Sequence, residues 1–291
     1  MILLTGATGL VGSALLDRLL AAGQDVRCMV RDPRRLGPNR VRVQITMGDL
    51  ANPFAVRQAV RGVDTVAHVA ATIRDQPSGS IEELNSVATI RLLRDARHAG
   101  ARRFLFFGAA GASTTSPARF FRAKALAEQA VLESGLDATV LAPSIVYAPG
   151  DPWLTLLRRL SWLPWMPLSG SGEAAYQPIW AEDVAAYFAK ALATPAAANR
   201  TFELGGPDVV TWNELYERIA KAMGKRRARV HLPVPLVRAG AAVAEHLPRP
   251  PITRDQVAMI EVGDNICDNR PAVETFGLDL DSLDEMIRRA I

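Results

Sequence analysis

A glycine-rich turn near the start of the chain, from Thr5 to Gly12, constrains the fold more than any other stretch. The apolar run Ile2-Leu3-Leu4 before it predicts a short buried strand. After it, apolar residues recur at helical spacing, which predicts a helix. A second apolar run, from Val26 to Val30, predicts the next strand. The resulting strand–turn–helix–strand unit has about the length that a dinucleotide-binding βαβ unit requires.

Three glycines in this turn, Gly6, Gly9 and Gly12, suit the binding of a diphosphate. Gly6 would let the chain turn sharply off the strand, Gly9 would let backbone N–H groups approach a pyrophosphate, and Gly12 would let helix and strand pack closely. The helix N-terminus then presents N–H groups and a partial positive charge to the phosphates. The spacing is one residue longer than G-x-G-x-x-G, so a glycine-rich turn without a ligand is the alternative.

Predicted strands alternate with predicted helices along most of the chain. Further strands are expected at 41–47, 63–69, 102–107, 138–141 and 201–204, and helices at 53–61, 80–99, 119–134 and 181–193. This alternation predicts an α/β fold with a doubly wound parallel sheet, the Rossmann fold. We expect residues 1–205 to form the NAD(P)-binding domain, with a lid insertion at about 150–176, and residues 206–291 to form a smaller mixed C-terminal lobe over the substrate side.

The composition excludes several classes of function. With 49% hydrophobic and 22% charged residues, the chain is typical of a globular protein. The run Ile2-Leu3-Leu4 is too short for a signal peptide, and no apolar run reaches a membrane-spanning length, so a cytoplasmic location is expected. The four histidines and two cysteines show no metal-ligand spacing. Nucleic-acid binding is not expected, since the net charge of +4 comes without a recognised motif.

Several motifs, taken together, resemble the short-chain dehydrogenase/reductase superfamily in its extended or atypical branch. The residues from 120 to 128 and the tail from 253 to 265 are similar to the subgroup of the nucleotide-binding accessory subunit of respiratory complex I. The motifs that carry the superfamily resemblance are Thr5 to Gly12, Val30-Arg31-Asp32-Pro33, Gly48-Asp49-Leu50, His68-Val69-Ala70-Ala71, Asn85, Lys124, Pro143-Ser144-Ile145-Val146-Tyr147 and Gln177 to Ala185.

This resemblance implies a bound dinucleotide and a set of residues around it. Asp49 and Leu50 would border the adenine, Ala70 and Ala71 would line the cofactor trough, and Lys124 would hold the nicotinamide ribose. Gly48-Asp49 is alternatively a turn that ends a strand. The implied cofactor-binding positions are Gly6, Thr8, Gly9, Leu10, Val11, Gly12, Arg31, Arg35, Asp49, Leu50, Ala70, Ala71, Lys124, Pro143 and Ile145.

The residues at the end of the second strand help to distinguish an NAD site from an NADP site. Sites that prefer NAD place an acid there to accept hydrogen bonds from the ribose hydroxyls. Here Val30 is followed by Arg31, with Arg34 and Arg35 close behind. A guanidinium suits a ribose 2′-phosphate, so NADP(H) is favoured over NAD(H). A slipped register would instead put Asp32 on the ribose, and the arginines alternatively form a solvated charge run.

The usual proton-transfer groups of the superfamily are missing from their positions. Most members use a Tyr-x-x-x-Lys pair, in which the ammonium lowers the pKa of the phenol, and a Ser or Thr after the fifth strand. Lys124 stands at the Lys position, but Phe120 stands four residues earlier. The fifth predicted strand is followed by Gly108-Ala109-Ala110, and the first hydroxyl comes only at Ser113.

Three functions therefore stay open. The first is a cofactor-binding protein with little or no chemistry, in which NADP(H) is structural or a redox signal. The second is an NADPH-dependent reductase of a small carbonyl, quinone or isoprenoid-type substrate, with Lys124 as acid/base if burial tunes its pKa, or with Tyr147 or Tyr176 reaching in from loops. The third is a sensor of the NmrA-like type that binds nucleotide and a protein partner.

A tryptophan-rich segment lies within the predicted lid insertion. It contains Trp153, Trp162 and Trp165, with Arg158 and Arg159 between them. Such residues would form an apolar substrate mouth, or a surface for a protein partner or for peripheral contact with anionic lipid headgroups. Ordinary packing within the lobe is the alternative, because large aromatic side chains are usually buried.

Overall fold

A computed structural model describes residues 1–160, 162–163, 165–225, 228–247 and 250–291. The side chain of Trp153 lies outside that description. The strands are β1 (Ile2–Thr5), β2 (Val26–Val30), β3 (Gln44–Met47), β4 (Thr65–His68), β5 (Arg103–Phe107), β6 (Asp137–Pro143), β7 (Val146–Tyr147), β8 (Trp165–Ser169), β9 (Ala175–Tyr176), β10 (Ile179–Trp180), β11 (Arg200–Leu204), β12 (Val210–Thr211) and β13 (Ala228–Leu232).

Helices alternate with these strands. They are α1 (Leu10–Ala21), α2 (Pro53–Ala59), α3 (Ala88–His98), α4 (Arg119–Leu132), α5 (Pro152–Leu160), α6 (Ala181–Ala193), α7 (Trp212–Ala222), α8 (Val234–Ala244), α9 (Arg254–Glu261), α10 (Arg270–Phe276) and α11 (Leu283–Ala290). A π-helical turn, Glu83–Val87, leads into α3. No helix in the described part of the chain is long and apolar enough to cross a membrane.

The main sheet of the described chain has seven parallel strands in the order β11-β6-β5-β4-β1-β2-β3. The predicted doubly wound α/β fold is thereby confirmed. Strand order reverses between β1 and β4, and at such a switch point the carboxyl ends of the strands leave a crevice for a ligand. Three further pairs of short strands, β7–β10, β8–β13 and β9–β12, lie outside this sheet.

Both faces of the sheet are covered by helices, as continuous apolar strands require. Leu3 and Leu4 on β1 point to opposite faces and are both fully buried. On one face, α1 packs against α6 through an apolar stripe that includes Leu15 and Leu16. On the other face, α2, α3 and α4 cover the sheet, and their apolar side chains form a second core cluster that includes Phe104 of β5.

The third strand is shorter than its apolar pattern suggests. The prediction of strand from residue 41 was wrong at its start, because Pro33–Val41 forms 3₁₀ turns and β3 begins only at Gln44. Asp32 caps these turns by accepting a hydrogen bond from the Arg34 amide, and a proline follows it directly. Val41 is 82% exposed, so its hydrophobicity marks no core position.

The core of the Rossmann domain includes residues from the C-terminal segment. Phe276 of α10 lies between Phe202 of β11 and Tyr187 of α6, with ring centroids 4.8 and 5.7 Å away. A separate apolar cluster joins α5, β8 and β10 to α7 and α11. Core contacts therefore cross the boundary placed between residues 205 and 206, and that boundary stays a prediction about folding units.

We expect Phe276→Ala to lower the free energy of unfolding by about 3–5 kcal/mol, because it opens a cavity between two aromatic rings. The matched control on the same helix is Val273→Ala, whose side chain is exposed; it should cost less than about 1 kcal/mol. Urea unfolding followed by circular dichroism measures both. Equal small losses would show that α10 contributes little to the main core.

Candidate functional site

A cavity of about 450 Å³ opens at the carboxyl ends of β1, β2 and β4. Its walls contain most of the cofactor positions predicted from the sequence: Gly6, Thr8, Gly9, Leu10, Val11, Gly12, Arg31, Arg35, Asp49, Leu50, Ala70 and Ala71. Lys124, Pro143 and Ile145 do not line it. Pro143 is buried, where its carbonyl accepts a hydrogen bond from the Ala110 amide, and the Ile145 carbonyl accepts one from the Ile179 amide.

Close backbone packing fixes two of the three glycines in the turn. Gly6 has φ +77°, a conformation that side chains disfavour, and a Cβ atom there would lie 2.6 Å from the Ala70 amide nitrogen. A Cβ atom on Gly12 would overlap the Gly6 carbonyl oxygen. On Gly9, the added Cβ would have the Gly6 carbonyl oxygen, 3.3 Å away, as its one near neighbour. Gly9 therefore leaves open space on the cavity side, which is what a bound phosphate needs.

The N-terminus of α1 faces this space without an acceptor of its own. Gly9 is the N-cap residue and supplies no side-chain hydrogen bond, and the first turn contains no acidic side chain. The first N–H groups of a helix have no intrahelical acceptor, and they carry the positive end of the helix dipole. The cavity and this helix end fit a diphosphate.

Arginines stand where β2 ends at the cavity. Arg31 and Arg35 line it, and the Arg31 Nη1 atom lies 3.6 Å from Asp49 Oδ2. Asp49 also accepts a 2.9 Å hydrogen bond from the Ala51 amide, so it both ends the strand and faces an arginine. Asp32 does not line the cavity. It accepts hydrogen bonds from the backbone and side chain of Arg34, which lower the pKa of its carboxyl.

A buried histidine supports the cavity floor. His68 Nδ1 lies 2.6 Å from Thr5 Oγ1, and its Nε2 lies 2.8 Å from Thr89 Oγ1, so both ring nitrogens have hydroxyl partners. Burial lowers the pKa of His68 to about 3, and the imidazole is neutral at physiological pH. Its position at the end of β4 fixes the start of the Val69-Ala70-Ala71 wall.

The loop after β4 adds polar cavity residues that the sequence analysis missed. Thr72, Gln76 and Ser78 line the cavity, and so do Leu84, Phe107 and Val146. Asn85 holds this loop in place, since its amide group donates to the Thr72 carbonyl and accepts from the Thr72 amide at 2.8 and 3.1 Å. The available signal was the position of residues 72–78 directly after the fourth predicted strand, at the carboxyl edge of a parallel sheet.

Lys124 lies behind the cavity wall. Its ammonium donates a 2.6 Å hydrogen bond to the carbonyl of Phe107, a residue that does line the cavity. The ammonium also lies 4.7 Å from the centroid of the Phe106 ring and 5.8 Å from that of Phe120. Burial lowers the pKa of Lys124 to about 7, and the nearby Glu128 carboxylate opposes this shift. Lys124 therefore titrates near neutrality, and its contact with a ribose stays a prediction.

The region beside Lys124 is packed with apolar side chains. Phe120, Phe121 and Ala109 are buried together, and Ala258 and Met259 of α9 pack against them. The first hydroxyls after β5, those of Ser113, Thr114 and Thr115, do not line the cavity, and Ser113 and Thr115 are hydrogen-bonded to each other.

Tyr147 and Tyr176, which were expected on loops, lie in β7 and β9, and neither lines the cavity. Tyr147 is buried with its ring 5.2 Å from that of Trp180, and Tyr176 donates a hydrogen bond to the Ile260 carbonyl. Burial raises the pKa of both phenols. In the described part of the chain, the hydroxyl groups in the cavity wall are those of Thr5, Thr8, Thr72 and Ser78.

Comparisons with known proteins agree with this geometry. A family model described as NAD(P)H-binding matches residues 6–195. Subunit 9 of the NADH dehydrogenase (ubiquinone) 1 alpha subcomplex, a mitochondrial protein of Arabidopsis thaliana, is 31% identical over 94% of this chain and 72% of its own. A ceramide reductase of Caulobacter vibrioides is 30% identical over 84% of this chain and 77% of its own. Since the first relative is mitochondrial, the expected cytoplasmic location stays a prediction.

A solved structure supports the fold. A short-chain dehydrogenase/reductase superfamily protein from Agrobacterium tumefaciens, crystallised with bound NAD, matches with a TM-score of 0.74 at 20% identity. The match covers 99% of this chain and 95% of that protein. At this identity the likeness shows the fold alone.

The lowered pKa of Lys124 predicts how stability depends on pH. Between about pH 7 and 10.5 the unfolded chain carries a proton on this lysine that the folded chain has lost. The free energy of unfolding should therefore rise with pH in that window, by up to about 1 kcal/mol per pH unit, and this contribution should be lost as the pH falls towards 7. Lys124→Met should abolish it.

The measurement is urea unfolding of both proteins at about pH 7, 8 and 9, and the difference between them is the quantity of interest. Lys190→Met, which removes an exposed lysine of α6, is the control and should follow the wild type. A constant difference between wild type and Lys124→Met would mean that Lys124 stays charged in the folded protein.

Proposed function

Because the chain belongs to the NAD(P)H-binding family, and within it to the atypical short-chain dehydrogenase/reductases, we propose that it binds NADP(H) at the carboxyl edge of the sheet. The observation that carries the preference for NADP(H) is the pair Arg31 and Arg35 in the cavity wall at the end of β2. A guanidinium pairs with a phosphate through charge-assisted hydrogen bonds, and it gains nothing comparable from a ribose hydroxyl.

The acids near this position support the same preference. Asp32, which would accept hydrogen bonds from a ribose in an NAD site, is already engaged by Arg34 outside the cavity wall. Asp49 faces Arg31 and would hold that guanidinium at the cavity edge. The ribose end of the site thus has cations for a 2′-phosphate and a carboxylate that orients one of them.

The other parts of the cavity wall would each contact a different part of the nucleotide. The N-terminus of α1 and the open side of Gly9 would hold the diphosphate, and Ala70 and Ala71 would let a flat ring system approach the backbone closely. When bound, the nicotinamide supplies hydride chemistry. The residues of this chain would bind and orient it and exclude water from its inner face.

We further propose that the bound nucleotide is structural or a redox signal. Phe120 stands where the superfamily has its phenol, and it is packed beneath α9 together with Phe121. The hydroxyls of Tyr147 and Tyr176 belong to side chains buried elsewhere. The similarity to a subunit of NADH dehydrogenase supports a role in which the nucleotide-loaded protein serves a protein partner.

A second candidate, reduction of an apolar carbonyl compound, is favoured by one observation. The pKa of Lys124 lies near 7, where an amine both gives and takes a proton at neutral pH. The similarity to a ceramide reductase gives this candidate an apolar substrate class. It requires Lys124 to exchange its hydrogen bond with the Phe107 carbonyl for one to a ligand in the cavity.

Removing either cavity arginine tests the cofactor preference. Arg31→Ala and Arg35→Ala should each weaken NADPH binding by about tenfold or more, because each deletes a charge-assisted hydrogen bond to the 2′-phosphate. NADH binding should change little. Titration of nucleotide fluorescence measures both constants. Arg34→Ala, whose guanidinium is paired with Asp32 outside the cavity wall, is the matched control and should bind like the wild type. Equal losses for the two nucleotides would contradict the 2′-phosphate assignment.

The choice between the two candidates rests on turnover. With saturating NADPH and a panel of quinones, aldehydes and long-chain ketones, we expect NADPH to be oxidised no faster than it is without the protein. The loss of absorbance of the reduced nicotinamide at roughly 340 nm measures this rate. Steady oxidation that Lys124→Met abolishes, while nucleotide binding persists, would establish the reductase instead.

A further inference from the structure

Two segments of the chain contain basic residues but no acidic one, two basic residues in the first and seven in the second. Residues 152–172 and 218–244 together carry nine Lys or Arg and no Asp or Glu. The net formal charge of the whole chain is +4, so the residues outside these segments sum to −5. The excess of positive over negative charge therefore lies in these two segments, and two of their nine basic residues, Arg226 and Arg227, lie outside the described residues.

The two segments lie next to each other in the fold. Strand β8 from the first pairs in parallel with β13 from the second, with Trp165 opposite Ala228 and Ser169 opposite Leu232. Helix α5 packs against α7, the helix in which the second segment begins. We call the described residues of these two segments the basic lobe.

Part of this charge is balanced by acids from elsewhere. Arg218 pairs with Asp208 and Asp284, and Arg229 lies 3.8 Å from Glu217. Arg238 of α8 pairs with Glu261 of α9. These ion pairs link the lobe to its surroundings. The side chains of Arg158 and Arg159 at the end of α5 are exposed.

The basic lobe also exposes large apolar side chains. Trp162 is 72% exposed and Trp165 is 45% exposed. Helix α8 is apolar apart from Arg238, yet Ala241 is its one fully covered residue, and Val243 is 74% exposed. Leu163, Val230 and Leu236 are exposed in the same lobe.

Cations and an aromatic ring meet at one place on this lobe. The Lys225 ammonium lies 3.1 Å from the centroid of the Trp162 ring. An open groove of about 510 Å³ is lined by Arg158, Arg159, Trp162, Met223, Lys225 and Ile291. Exposed guanidinium groups beside an indole suit the phosphate and glycerol region of a phospholipid, while the Lys225 ammonium is buried against that indole.

From these observations we propose that the basic lobe is a peripheral membrane-binding surface for anionic phospholipids. The tryptophans would sit at the level of the headgroups, and α8 would lie in the plane of the interface with its exposed apolar residues in the acyl boundary. The cations would face the negative surface potential. The proposal does not depend on NADP(H) binding or on turnover.

The charge and the exposed apolar side chains of the basic lobe argue against two other partners, a second copy of this chain and a nucleic acid. In a two-fold symmetric dimer the same patch meets itself, so the positive charge of one copy would face that of the other. A nucleic acid would attract the cations but would leave Val243 and Leu236 without an apolar partner. An anionic bilayer satisfies both the charge and the apolar side chains.

Vesicle flotation of the full chain tests this surface. The protein should float with vesicles containing about 30 mol % phosphatidylglycerol, fail to float with pure phosphatidylcholine, and be partly released at about 0.5 M NaCl. Trp162→Ser and Val243→Ser should each weaken binding by about tenfold. Arg159→Gln should weaken it by about fivefold.

The matched control is Phe54→Ser. Phe54 on α2 is also 72% exposed and also carries a cation, Arg57, over its ring, but it lies outside the basic lobe. This variant should float like the wild type, and unchanged circular dichroism should show that all the variants are folded.

Three results would overturn the proposal. The first is no flotation, or equal flotation with neutral and anionic vesicles. The second is a wild-type dimer in sedimentation velocity that Val243→Ser converts to a monomer, since the face would then join two copies. The third is binding of duplex DNA that displaces the vesicles and is lost in Arg159→Gln but retained in Val243→Ser.

Discussion

The close approach of three backbone segments at the β1–α1 turn is the contact on which the rest of the site depends. Gly6 lies against the Ala70 backbone, and Gly12 lies against the Gly6 carbonyl. These contacts bring the start of α1 to the carboxyl ends of β1 and β4, where the strand order reverses. A side chain at either glycine would push the helix away from the sheet, and the helix N-terminus would no longer face the cavity that it shares with the ends of β2 and β4.

The sequence predicted best those segments that pack against the main core. Strand β1 and helix α6 appear where apolar runs and spacing placed them, because burial alone determines such patterns. Strand β3 starts late because Asp32 and a following proline favour a tight turn, and local capping outweighs an isolated exposed valine. The docking of α10 on β11 could not be predicted, since a seven-residue helix with two aromatic contacts leaves no periodic signal.

For the site, the glycine turn and the arginines after β2 were accessible from spacing, since backbone geometry places them at one edge of the sheet. The roles of Thr72, Gln76 and Ser78 were not, because a loop has no period and its position depends on hydrogen bonds from the distant Asn85. The position of Lys124 outside the cavity wall could not be predicted from the sequence either. It follows from how the Phe106, Phe107 and Phe120 rings surround the ammonium, which is a property of tertiary packing.

The phenylalanine at position 120 links the chemistry of this region to its packing. A phenol there would need a hydrogen-bond partner or water and would keep the space beside Lys124 polar. A phenyl ring has no such need, and Phe120 and Phe121 instead form an apolar floor on which Met259 of α9 packs. The same ring leaves the lysine in an apolar environment, and this desolvation lowers its pKa. The rings of Phe106 and Phe107 complete this apolar environment, so the lowered pKa of Lys124 and the packing of α9 both depend on the aromatic side chains around position 120.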